Sequence, residues 1–367
     1  MAPGSRPRWS RRVPWTLIVP ALALVALVAT WGSKPKNAVL ALMALLLAAA
    51  VLAAVHHAEV VAHRVGEPLG SLVLAVAVTV IEVALIVVLM AAGRSETDAL
   101  ARDTVFAAVM ITCNGIVGLC LVVATVRERV ATFNAEGTAT AFATVITLAT
   151  LCLVLPTFTT SAPGPEFSAT QLAFAGIASV ALYALFVFVQ TVRHRDFFLP
   201  TEDVPEHDQE HAPRPHDRAA AISLVALVLS LVAVIGLAKI ESPAIEDAVD
   251  GVGAPPSAVG VVIALLVLLP ETLAAFRNAR RGRLQTSFNL AYGSAIASIG
   301  LTIPAVALAS IWLDGSLVLG LSSTQIVLLM LTAGVGALTI LPGRATLQEG
   351  GVHLVIFCSF LLLAVNP

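Results

Sequence analysis

Glu82 and Glu271 are the residues in this sequence best placed to do chemistry, because each carries an acid into an apolar run. Glu82 interrupts the run from Ser71 to Met90, and Glu271 the run from Val259 to Phe276. A carboxylate at the centre of a bilayer costs at least ~2.5–3.5 kcal/mol and is kept mainly where it faces a cavity or a partner. Two such acids facing each other in a low-dielectric site cannot both remain charged and unaccompanied, so a cation or protons must neutralise them. Calcium takes about six to eight oxygens at about 2.3–2.6 Å, of which two carboxylates supply up to four. Unwound backbone and water would supply the rest. The alternative for each acid is structural: a protonated carboxyl hydrogen-bonded between helices. Two glutamates at corresponding places in two halves of a chain favour the first reading.

Other residues qualify as neighbours of such a pair. Thr79 lies three residues before Glu82, and Pro270, just before Glu271, removes a backbone donor and frees a carbonyl at that depth. Setting Asn114 in Val109–Val117 against Ser298 in Gly293–Gly300 also brings Val109 opposite Gly293 and Asp103 opposite Ser287. Asn114, Ser294 and Ser298 are therefore candidate pathway residues, although hydroxyls of this kind also serve helix packing. His56, His57, Glu59, His63 and Glu67 cluster earlier in the chain, at the end of its second apolar stretch. His63 and Glu67 suggest a vestibule for cations or protons, and a solvated helix end explains the cluster equally well. The segment from Arg193 to Arg218 holds seven acids, four histidines and several prolines. It reads as a linker or as a sensor of pH or Ca²⁺, without the spacing of an EF-hand loop. Arg277, Arg280, Arg281 and Arg283 anchor a helix end against anionic headgroups.

The elements that position these residues must be membrane helices. Of 367 residues, 58% are hydrophobic and 12% charged, whereas soluble domains carry about 25% charged residues. Eleven apolar stretches are long enough to span: 13–31, 38–56, 69–92, 104–126, 138–157, 168–191, 219–239, 257–276, 286–312, 317–341 and 350–366. With the N-terminus inside, sixteen of the Lys and Arg residues fall inside and five outside, which selects a cytoplasmic N-terminus and an outside C-terminus. The chain divides into residues 1–37 with a first helix, five helices over 38–192, the polar loop 193–218, and five helices over 219–367. Because five is odd, the second block enters the membrane in the opposite sense to the first, as in an inverted repeat. The expected fold is an all-α polytopic membrane protein of about 11 helices, one extra N-terminal helix preceding two inverted five-helix repeats.

Several motifs carry a family resemblance. Gly66-Glu-Pro-Leu-Gly-Ser-Leu72, the Glu82 helix, Leu269-Pro-Glu-Thr-Leu273 and Asn289-Leu-Ala-Tyr-Gly-Ser-Ala-Ile-Ala-Ser-Ile-Gly-Leu-Thr-Ile-Pro304 resemble the two α-repeats of the cation/calcium exchanger superfamily. Within its calcium/proton exchanger group, the chain looks most like the bacterial ChaA-type calcium/sodium/potassium–proton antiporters, as does Thr191-Val-Arg-His-Arg-Asp-Phe-Phe198. The resemblance implies exchange of Ca²⁺, or of Na⁺ and K⁺, against protons, with Glu82 and Glu271 in the transport site. The family has Gly-Asn-Ala before each glutamate, and this chain has Val78-Thr-Val-Ile81 and Val267-Leu-Leu-Pro270. Thr79 keeps an oxygen where the family has Asn, and Leu268 does not.

A secondary transporter of an inner membrane is therefore expected, with Ca²⁺/H⁺ exchange first and monovalent Na⁺(K⁺)/H⁺ exchange as the alternative. Its expected partners are the bilayer, the transported cations and protons; no cofactor is implied. A passive channel would lack proton coupling, and a membrane enzyme would need a catalytic set that the sequence does not display. A net charge of -2 gives no footprint for nucleic acid. Cys113, Cys120, Cys152 and Cys358 have neither metal nor disulfide spacing.

Overall fold

The computed structural model describes residues 15–33, 37–66, 69–91, 98–199, 215–251, 253–312 and 316–366. Lipid offers the backbone no hydrogen-bond partner, so apolar runs of this length close their hydrogen bonds internally as helices. They do so here as α1 (Trp15–Thr30), α2 (Asn37–Val65), α3 (Leu69–Met90), α4 (Leu100–Met110), α5 (Val117–Glu128), α6 (Ala135–Ala149), α7 (Leu155–Phe158) and α8 (Ala169–Phe188). After the polar segment follow α9 (Asp217–Gly251), α10 (Ser257–Arg280), α11 (Leu284–Ala297), α12 (Ile303–Ala309), α13 (Ser323–Ile340) and α14 (Leu347–Val365).

Among the described residues, ten helical rods are long and apolar enough to cross a membrane, and α1 is a shorter apolar helix. The chain is thus an all-α integral membrane protein of about eleven helices. Several rods join two labelled helices through a π-helical turn: Ile111–Ile116 joins α4 to α5, Thr150–Val154 joins α6 to α7, and Ser298–Thr302 joins α11 to α12. Two spans exceed the expected apolar stretches. Helix α2 continues through His56 and His63 to Val65, and α9 continues through Lys239 to Gly251. Apolar length marks what lipid covers, whereas a helix persists into water for as long as its backbone bonds and packing hold it.

Segments that alternate crossing puts on one face meet one another. At one end, β1 (Ala131–Thr132) pairs antiparallel with β2 (Arg344–Ala345), Arg64 pairs with Asp217, and Arg127 Nη1 donates to the Arg280 carbonyl at 2.9 Å. At the other end Glu166 bridges Val318, and the Val318 amide donates to the Asp98 carbonyl at 3.1 Å. Helices from before and after the polar segment interleave: α2 packs on α9, α4 on α10, α5 on α14 and α6 on α11. One buried apolar cluster centres on Phe106, Leu121, Leu148, Phe288 and Tyr292, and a second on α1, α2, α3 and α9 with part of α10. Leu45, Ile177 and Leu338 project outward as lipid-facing side chains do.

Candidate cation site

Helices α3, α10 and α11 bring the two carboxylates into one cavity of ≈ 340 Å³. On α3 the lining residues Leu74, Ala75, Val78, Thr79 and Glu82 recur every three or four positions and so share one helical face. On α10 the lining face carries Ala264, Val267, Leu268, Glu271 and Asn278. Helix α10 runs unbroken through Pro270. Pro270 still withholds a donor from the Leu266 carbonyl. The irregular backbone lies instead in the π-helical turns.

Both acids are buried, Glu82 at 4% and Glu271 at 8% exposure. Ser298 Oγ, in the π-helical turn after α11, donates to Glu82 Oε1 at 2.6 Å. The Thr302 hydroxyl, one turn on, is buried and makes no hydrogen bond. Glu271 differs, because its buried Oε2 has no hydrogen-bond partner. Glu271 lies within electrostatic reach of both Glu82 and Glu59. The cavity therefore offers a bonded carboxylate, an open one, and hydroxyls from Thr79, Ser294 and Ser298. Such a donor set suits a cation stripped of part of its water, or protons in its place. Among the described residues, His, Cys, Asp and Glu form no group of three that could hold a metal ion.

Beyond the carboxylates the cavity extends toward one end of the bundle. Gln190, Asn278, Thr286 and Asn289 line it there and are half-buried. Asn289 Nδ2 donates to the Phe198 carbonyl at 2.6 Å, and Gln285 Nε2 donates to Asn289 Oδ1 at 3.0 Å. This is the end that carries Arg64, Arg127 and Arg280. Toward the other end the path is shut. Ile86, one turn beyond Glu82, packs with Ala101 and Val306, all at 0% exposure. Beside them, Asp103 Oδ1 accepts from Arg102 Nε at 2.8 Å and from Gln325 Nε2 at 3.1 Å. A Cβ on Gly260 would lie 2.8 Å from the Thr104 amide, so α10 and α4 meet there backbone to backbone.

Of the residues singled out from the sequence, Glu82, Glu271, Thr79, Ser294 and Ser298 line the cavity together. Asn114 does not. It is fully buried in the π-helical turn after α4, where its carboxamide bonds to Thr332 and His353. His63 is exposed on α2 and lies outside the lining, with Glu59 within its electrostatic reach. Glu67 and most of the loop histidines and acids lie outside the described residues. Sequence reasoning missed Gln190, Asn278, Thr286 and Asn289. A signal existed for two of them: Thr286, Asn289, Gly293 and Ser294 repeat at helical spacing ahead of Ser298, a small and polar stripe along one face of the helix.

Comparison with known proteins agrees with this architecture. Residues 37–192 and 222–366 match the sodium/calcium exchanger protein family. Over 362 residues the chain is 47% identical to y4hA of Sinorhizobium fredii, covering 98% of both chains. It is 32% identical over 358 residues to the sodium-potassium/proton antiporter ChaA of Escherichia coli, covering 96% of each. The solved structure of native YfkE superimposes with a TM-score of 0.73 at 14% identity, over 96% of this chain and 100% of that one, a likeness of fold. With the family matched on both sides of the polar segment and a relative one-third identical end to end, the chain belongs to the sodium/calcium exchanger family of membrane cation transporters.

Proposed function

We propose that this protein is a secondary active antiporter that exchanges Ca²⁺, with Na⁺ or K⁺ as further substrates, for protons, and that Glu82 and Glu271 bind cation and protons in turn. The observation that carries the reading is the meeting of two buried carboxylates, from helices 189 positions apart in sequence, in one polar-floored cavity. Charge balance makes the two occupancies exclusive. One divalent cation neutralises the pair, as protons do, whereas the empty charged pair is costly at that depth. If only the neutralised pair allows the change between inward- and outward-open forms, exchange follows without leak.

In this reading residues 38–192 and 219–367 are inverted halves around the loop 193–218. The protein sits in an inner membrane with its N-terminus in the cytoplasm and its C-terminus outside. The conformation described is the one open to the cytoplasm. Monovalent exchange with little Ca²⁺ activity is the second reading. It is favoured by the similarity to an antiporter named for sodium and potassium and by Leu268, which brings no oxygen to the cavity. A YfkE structure described as a Ca²⁺/H⁺ antiporter, at TM-score 0.64, keeps calcium in view through its fold.

Inside-out vesicles test both readings. An imposed pH gradient should drive ⁴⁵Ca²⁺, Na⁺ or K⁺ uptake, and the ranking of the three cations separates the alternatives. Glu82→Gln and Glu271→Gln should each abolish exchange while the protein still inserts and purifies as a monodisperse species. Exchange surviving in both variants would remove Glu82 and Glu271 from the mechanism, and uptake without proton counterflow would mean a channel.

A further inference from the structure

A second buried polar group centres on the π-helical turn Ile111–Ile116, which packs on α10 and on α14. His353 on α14 is 0% exposed, and both ring nitrogens are engaged. Its Nδ1 is 3.1 Å from Asn114 Oδ1, and its Nε2 is 3.1 Å from Thr339 Oγ1 on α13. Asn114 Nδ2 donates to Thr332 Oγ1 at 2.9 Å, and Thr332 Oγ1 donates to the Leu328 carbonyl at 2.8 Å.

The direction of the whole chain follows from its last link. The Thr332 proton is spent on the Leu328 carbonyl, so Thr332 can only accept from the Asn114 amide. Asn114 must then present its carbonyl to His353, whose Nδ1 carries the proton. Nε2 is left as an acceptor for the Thr339 hydroxyl. A neutral imidazole with a single Nδ1–H satisfies all of these bonds.

The backbone holds this arrangement in place. A Cβ on Gly118 would lie 3.0 Å from His353 Cβ and 3.0 Å from the Leu354 amide, so α14 sits directly against α5. Asn114 is the residue that alignment of the two halves sets opposite Ser298. Both occupy π-helical turns, Ile111–Ile116 and Ser298–Thr302. Ser298 holds Glu82, but Asn114 is turned to α13 and α14, and Glu271 Oε2 stays unpartnered.

We propose that His353 is a positioning residue of the cation site: it withholds the Asn114 carboxamide from Glu271, so that one carboxylate of the pair is bonded in advance and the other is left open. This rests on the reading of Glu82 and Glu271 given above. A released carboxamide favours the cation-bearing site over the protonated one by either of its ends. Its oxygen is a further ligand, and its N–H groups stabilise the charged carboxylate.

The test measures the half-saturating concentration of the best-transported cation, among Ca²⁺, Na⁺ and K⁺, at fixed pH in inside-out vesicles. His353→Leu should lower it by about three-fold or more, the scale of one hydrogen bond. His353→Asn keeps a donor where Nδ1 stands and should hold the wild-type value. His353→Gln places its amide toward Thr339 instead and should follow His353→Leu, which keeps the test available if the leucine variant misfolds. In an Asn114→Ala background the effect of His353→Leu should vanish, because His353 acts through Asn114. An unchanged or raised value in both His353→Leu and His353→Gln, or a drop that persists in Asn114→Ala, would overturn the proposal. If Glu82→Gln and Glu271→Gln abolish exchange, such a result defeats the positioning role alone. Exchange that survives both glutamate substitutions defeats the underlying reading as well.

Discussion

The two acids share a cavity but not an environment, and the difference is a single hydroxyl. Ser298 gives Glu82 a short bond at 2.6 Å, while Glu271 Oε2 receives none. A hydrogen bond to a charged group contributes about 1.5–3 kcal/mol, so Ser298→Ala should reduce exchange at sub-saturating cation by about ten-fold or more. Initial rates in the vesicle assay would show it, and an unchanged rate would mean that the bond carries no weight in transport. At this scale the sequence was legible where cost is local. An acid inside an apolar run announces itself through hydropathy alone, and the polar stripe from Thr286 to Ser298 does so through its period. The Asn114–His353 bond was not legible. Its partners lie 239 positions apart, and neither residue's own neighbourhood in the chain tells which way its polar atoms turn.

At the scale of elements, the spans were readable and their irregularities were not. Apolar length located the helices because lipid enforces backbone pairing over about 20 residues. Pro270 drew attention to a freed carbonyl in α10, and α10 passes through it as a helix, while π-helical deviations fall at Ile111–Ile116 and Ser298–Thr302. A π-helical turn comes from one extra residue accommodated against neighbouring helices, and such turns concentrate at functional sites. No residue type marks it in advance. The pressing of α14 onto α5 is equally tertiary, and it gives a direct test. Gly118→Val puts a branched side chain where a Cβ alone would meet the Leu354 amide at 3.0 Å. Overpacking of this kind costs about 1–3 kcal/mol. The variant should melt at lower temperature in detergent, and an unaltered melting temperature would show the interface to be pliant.

Across the whole molecule, the cavity opens toward one face and is sealed from the other by Ile86, Ala101 and Val306. In a cysteine-free background, Thr286→Cys at the mouth should react readily with a membrane-impermeant thiol reagent added to inside-out vesicles. Val306→Cys should stay unreactive from either side in this conformation. Labelling of Thr286→Cys only in right-side-out vesicles would reverse the assigned orientation. Which segments share a face followed from the order of the apolar stretches, whereas the depth of the cavity depended on which helices neighbour which.

The interleaving of helices from before and after the polar segment has a consequence of its own. Each half leaves its apolar flanks to be covered by the other, α4 by α10, α5 by α14 and α2 by α9. Packing between the halves then holds them together independently of the peptide link that joins them. Severing it, or producing residues 1–200 and 214–367 from separate transcripts, should yield two polypeptides that copurify through a tag on either one. Each produced alone would be left with unsheltered packing surfaces and should be cleared by the cell's proteases.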